Sequence, residues 1–161
     1  MGGIASELER VYAARYRGFG RGLSIVTGSA DAAADAVQEA FAAALSSQEA
    51  YRGGSVEAWV WTIAVRSARR ARRLQWREAA RGGGGALEAV VPLAELPNAE
   101  LRVAVSSLSP QRRQIIFLRY WAGLSYAEIA VLCEISEGTV GATLSQAHAE
   151  LRRTLEREIA P

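Results

Sequence analysis

Arg66, Arg69, Arg70, Arg72, Arg73, Arg77 and Arg81 crowd one short stretch of the chain, and Glu78 is the only acidic residue among them. A guanidinium is planar, permanently charged and matched to phosphate oxygens in a two-pronged geometry. A merely solvated basic helix would neutralise itself with opposite charges four residues apart, and this one does not. The chemistry implied is binding of a polyanion, with Trp59, Trp61 and Trp76 interleaved as aromatic surfaces. All nineteen basic residues are Arg.

A second chemical signature lies in residues 122–153. Ser125 and Glu128 form the Ser-x-x-Glu pattern of a capping box, so a helix is predicted from Tyr126, with Ile129, Ala130, Leu132 and Cys133 on its apolar face. Glu134 and Ile135 make a short turn. Ser136 then caps a second helix in which Val140, Leu144, Ala147 and Leu151 recur at three and four. Two capped helices so closely joined must cross steeply, which suits a helix-turn-helix whose second helix enters a major groove. Residues 137–150 contain no Lys or Arg. Ser136, Thr139, Thr143 and Gln146 are therefore the DNA-facing candidates there, with Arg112, Arg113 and Arg119 held in reserve for the phosphates.

Other chemistries find no support. There is no nucleophile paired with a base, and Gly82–Gly85 lack the Lys and Ser or Thr that complete a phosphate cradle, so no enzyme is expected. One Cys and one His make neither a disulfide nor a soft-ligand zinc site, and no metal or cofactor is predicted. Cys133 is expected in the core. No signal peptide is read at the start, and no apolar run approaches the roughly 18 residues that cross a bilayer, so membrane insertion is not expected and a cytoplasmic location is.

The elements that would position these residues are all helical, since strand alternation and hairpin turns are missing. An all-α protein of two small domains is predicted, 1–80 and 98–161, joined by a flexible linker at 81–97 that carries four glycines in a row and two prolines. In the first half a helix over 4–17 should break at Gly18, Gly20 and Gly22 and resume briefly through Ile25. Asp31 should cap a helix to Ser46 with Val37, Phe41 and Leu45 inward. A long helix should run from Ser55 to Arg81 with Trp59, Ile63 and Leu74 on its buried side. In the second half helices are predicted over 98–106 and from Pro110, a favoured first helical residue, to Tyr120.

In this order the parts resemble a sigma-70 family RNA polymerase sigma factor of the extracytoplasmic-function type, which has only regions two and four. The stretch Asp31-Ala-Ala-Ala-Asp-Ala-Val-Gln-Glu-Ala-Phe41 is similar to a region-two motif, as is Tyr51-Arg-Gly-Gly-Ser-Val-Glu-Ala-Trp-Val-Trp-Thr-Ile-Ala. In region four, Leu108-Ser-Pro-Gln-Arg-Arg-Gln-Ile-Ile-Phe-Leu-Arg-Tyr, Leu124-Ser-Tyr-Ala-Glu-Ile-Ala and Ile135-Ser-Glu-Gly-Thr-Val fit closely. The resemblance implies that Asp35, Gln38 and Glu39 face core RNA polymerase and that Tyr51 stacks on an unpaired promoter base. It implies that Arg66, Arg69, Arg70, Arg73 and Arg77 lie on minus-10 DNA, and that an anti-sigma factor is a further partner.

The chain also departs from the pattern. Ala34 stands where the family has Glu, Arg66 where it has a base-holding Asn, and Glu134 where a glycine is common, which would put a non-glycine residue at positive φ. Gly141, Ala142, Thr143 and Gln146 replace Lys or Arg. Two alternatives follow: a helix-turn-helix regulator like the two-component response regulators, or a degenerate sigma-like protein that binds polymerase or a regulator with weak promoter reading. The first fits poorly, because a receiver domain needs a Lys and alternating strands, and the first half offers neither.

Overall fold

The computed structural model describes residues 3–82 and 90–159, and among these all regular structure is helical. Two compact units divide the chain between Glu88 and Ala89. The run Gly83–Gly85 of the expected linker lies outside the described residues.

The first unit packs three helices against one another: α1 (Ile4–Thr27), α2 (Ala30–Ser46) and α3 (Val56–Arg81). The expected break in α1 does not occur. Three glycines in a helix cost roughly 3 kcal/mol relative to alanine. Burying Phe19, Leu23 and Ile25, each fully buried, contributes about 1.5–3 kcal/mol per side chain, so burial wins. The Phe19 ring meets Trp61 of α3 at 4.7 Å between centroids. The helix stops at Gly28, which takes φ 69° and returns its N–H to the Ser24 carbonyl.

Ser29, not Asp31, caps α2: its hydroxyl accepts from the Ala32 amide at 3.2 Å. Ser55 caps α3 in the same way through Ala58. The buried side of α3 is Val56, Val60, Trp61, Ala64, Val65, Ser67 and Ala68. Trp59 and Ile63 are half-buried, and Leu74 is 53 % exposed rather than buried. Leu45, expected inward, is likewise 48 % exposed at the end of α2.

The second unit contains α4 (Ala99–Ser106), α5 (Pro110–Tyr120), α6 (Tyr126–Cys133) and α7 (Glu137–Ile159). Its core is Val105, Leu108, Ile115, Phe117, Leu118, Leu124, Ile129, Val140 and Leu144. A short turn at Leu93–Glu95 belongs to this unit rather than to a free linker, since Glu95 accepts from the Trp121 indole at 2.6 Å. Asn98 caps α4 and Ser109 caps α5. Cys133 is half-buried rather than core, because it ends α6 at the turn.

Candidate nucleic-acid and polymerase interface

The long helix α3 changes character midway. Its N-terminal half is packed, and from Arg66 onward one side becomes a row of arginines. Arg66, Arg70, Arg73 and Arg77 recur at intervals of four, three and four, one stripe of a 3.6-residue helix opposite the buried Ala64 and Ala68. At 1.5 Å per residue the stripe is roughly 16 Å long.

All four of these arginines are exposed. Among the described residues Arg66, Arg73 and Arg77 have no ion-pair partner, whereas Arg70 donates to Glu39 of α2 at 2.8 Å. Glu39 accepts on its other oxygen from the Ser67 hydroxyl. The cluster is therefore less one-sided than its own helix suggests, and Arg69 and Arg72 also have partners within the chain.

Trp59 heads the same stripe, two turns before Arg66. Its ring lies 5.3 Å from that of Tyr51, tilted by 45°, and the Tyr51 hydroxyl donates to the Gly54 carbonyl. The result is a half-exposed aromatic pair at the head of a cationic row, a surface on which unstacked bases can lie. Sequence reasoning put Trp59 on the buried side and missed this pairing. The signal was present in the seven-residue step from Trp59 to Arg66, which keeps both on one face.

Asp35, Gln38 and Glu39 are exposed together on α2. Between α2 and α3, Asp35 and Glu39 border a cleft of about 220 Å³ whose lining includes Ala36, Ser67, Arg70 and Leu74. The acidic face and the arginine row thus meet at one ion pair rather than standing apart.

In the second unit the helix-turn-helix is built as its caps require. Ser125 accepts from the Glu128 amide at 3.1 Å while Glu128 accepts from the Ser125 amide at 2.8 Å. Glu134 turns the chain in the left-handed region, φ 57° and ψ 42°. Ser136 accepts from the Thr139 amide at 3.0 Å, and the two hydroxyls share a hydrogen bond of 2.8 Å. Thr139 and Gln146 are exposed on α7.

Thr143 is not: it is 9 % exposed beside Leu144 and Ala147, so its expected DNA contact is withdrawn. The three arginines expected at the phosphates all have partners in the chain. Arg113 donates to the carbonyls of Val105, Ser106 and Leu108, capping the end of α4, and so has a structural task. Arg119 donates to Leu124 at 2.8 Å and lies over the Tyr126 ring. Arg112 bridges Glu150 at 2.7 Å and Gln146 at 3.0 Å.

Comparison with known proteins agrees with this division. Residues 9–78 match the family model of sigma-70 region 2, and residues 98–151 match that of sigma-70 region 4. The ECF RNA polymerase sigma factor EcfG of Rhodopseudomonas palustris is 30 % identical over 135 residues, covering 81 % of this chain and 75 % of the relative. The ECF RNA polymerase sigma-E factor of Escherichia coli is 31 % identical over 144 residues, 79 % of this chain and 73 % of its own.

Among solved structures, the sigma factor RpoE in complex with the anti-sigma factor NepR from Bartonella quintana aligns with a TM-score of 0.61 at 27 % identity. That alignment covers 95 % of this chain and 96 % of the other. CnrH, solved with the cytosolic domain of CnrY, shares the fold at 19 % identity and a TM-score of 0.53. The chain belongs to the sigma-70 family and is a sigma factor of the extracytoplasmic-function type, a subunit that directs RNA polymerase to promoters. No described helix is long and apolar enough to cross a membrane.

Proposed function

We propose that this sigma factor attaches to core RNA polymerase through Asp35, Gln38 and Glu39, and opens promoters mainly through its first unit, acting in the cytoplasm without chemistry of its own. The observation that carries the reading is the stripe of α3. It joins a stacking pair, Tyr51 and Trp59, to a row of exposed arginines, as capture of a melted strand beside its phosphates requires. Because Glu39 also holds Arg70, docking of polymerase on α2 and of DNA on α3 would act on one shared ion pair.

Minus-35 recognition by α7 is assigned the smaller share. Without a Lys or Arg between Glu137 and Glu150 the helix lacks the commonest specific contact, Arg or Lys to guanine. Thr139 and Gln146 remain as readers. Since RpoE of Bartonella quintana is bound by the anti-sigma factor NepR, we assign this chain an anti-sigma partner of its own.

The test is binding of the full-length protein, and of its holoenzyme, to fragments carrying only a minus-35 or only a minus-10 element. Holoenzyme binding should depend chiefly on the minus-10 element. Tight, sequence-selective binding of the free protein to minus-35 duplex would refute the division of labour. Introducing Lys at Gly141 should tighten minus-35 binding, and space permits it: a Cβ there meets only the Tyr126 ring edge at 3.5 Å, an ordinary contact.

A further inference from the structure

Gln146 does not stand free on α7. Its side-chain oxygen accepts from Nη2 of Arg112 at 3.0 Å, and Nη1 of the same arginine pairs with Glu150 at 2.7 Å, one turn further along. An arginine has five N–H donors and no acceptor, so the amide atom it meets has to be the oxygen. The bond is charge-assisted, and Glu150 fixes the guanidinium that makes it. Glu150 and Arg112 are both largely covered, with side chains 26 % and 34 % exposed, while Gln146 is open to solvent.

A free glutamine reads adenine by presenting both an acceptor to N6 and a donor to N7. Here the acceptor is held by Arg112, and the atom left for a base is the amide nitrogen, which only donates.

We propose that Arg112 is a positioning residue that converts Gln146 from an adenine reader into a donor-only reader, selecting guanine at one position of the minus-35 element. This rests on the assignment of α7 to the major groove. Guanine offers two acceptors there, O6 and N7, to the two N–H groups of the amide. Adenine offers N7 but sets its own N6 donor against the amide; thymine offers one acceptor, and cytosine a donor. Arg112 thereby acts on base choice without itself touching a base.

The experiment is transcription by holoenzyme, reconstituted with the full-length chain, from a promoter library randomised across the minus-35 element, with the transcripts sequenced. The position read by Gln146 is the one whose preference disappears in Gln146→Ala. At that position the unaltered protein should favour guanine over adenine by about tenfold, in the range of one good base contact. Arg112→Leu should bring that ratio down to one or below, toward adenine, by freeing the amide to rotate.

Because that substitution strands the Glu150 carboxylate, the double variant Arg112→Leu with Glu150→Leu removes both charges together and should give the same fall in a folded protein. An adenine preference in the unaltered protein would overturn the proposal, as would a guanine preference unchanged in the double variant. A minus-35 profile flat at every position would overturn it too, while leaving the sigma assignment intact. No transcription from any library member would remove the sigma reading and this proposal with it.

Discussion

Glu134 is the residue at which local cost and tertiary need are most openly opposed. A non-glycine side chain in the left-handed region costs about 1–2 kcal/mol, yet the turn between α6 and α7 demands that conformation. Glu134→Gly should therefore be more stable than Glu134→Ala by about 1 kcal/mol, a comparison in which both variants lose the glutamate side chain equally. Urea unfolding of the two measures it, and equal midpoints would show that the turn relaxes.

Arg113 poses the complementary question of structure against function. Its three carbonyl contacts give Arg113→Ala an expected cost of about 1–2 kcal/mol with no change in the salt dependence of DNA binding. A flatter salt slope at unchanged stability would restore it to the phosphates. The sequence could not separate these roles, because an arginine near a groove and an arginine capping a neighbouring helix look alike until the carbonyls of Val105, Ser106 and Leu108 are seen to converge on it. The positive φ at Glu134 and the caps at Ser125 and Ser136 were legible, since each follows from two or three adjacent residues.

Among the elements, α3 decides the most. Replacing Arg66, Arg73 and Arg77 by Gln removes the arginines of the stripe that have no partner among the described residues, and leaves the Arg70–Glu39 pair in place. Each lost phosphate contact should reduce the log-log salt slope by about 0.9 on duplex DNA or about 0.7 on a melted strand, so a holoenzyme carrying the triple variant should lose roughly 2–3 in slope. An unchanged slope would mean that these side chains face only solvent.

On α2, Asp35→Arg with Gln38→Arg should abolish co-purification with core polymerase at unchanged helicity, and retained binding would move the polymerase face elsewhere. Helix content at this scale was readable from periodicity, and most caps from residue type, although α2 is capped by Ser29 and not by Asp31. What was not readable was which glycines a helix tolerates and which apolar residues stay uncovered. Gly18, Gly20 and Gly22 are absorbed because Phe19, Leu23 and Ile25 bury around them. Leu45, Leu74 and Trp76 stay about half exposed, Leu45 and Leu74 at the rims of clefts that a neighbouring helix only partly covers. Those outcomes depend on neighbours distant in sequence.

For the whole molecule, the two units differ in how much cationic surface they offer. The first presents a continuous row of arginines beside an aromatic pair; the second has Arg112, Arg113 and Arg119 engaged in holding its own helices and no Lys or Arg over residues 137–150 of its recognition helix. Promoter choice should accordingly be written mainly in minus-10 sequence. The most direct measurement is transcription of genomic fragments by core RNA polymerase with and without this chain, with start sites mapped. Discrete new start sites sharing a minus-10 sequence, with at most a sparse minus-35 signature, are the predicted result. Initiation indistinguishable from core polymerase alone would contradict a sigma factor, and start sites aligned by a strong minus-35 block would contradict the leading role of α3.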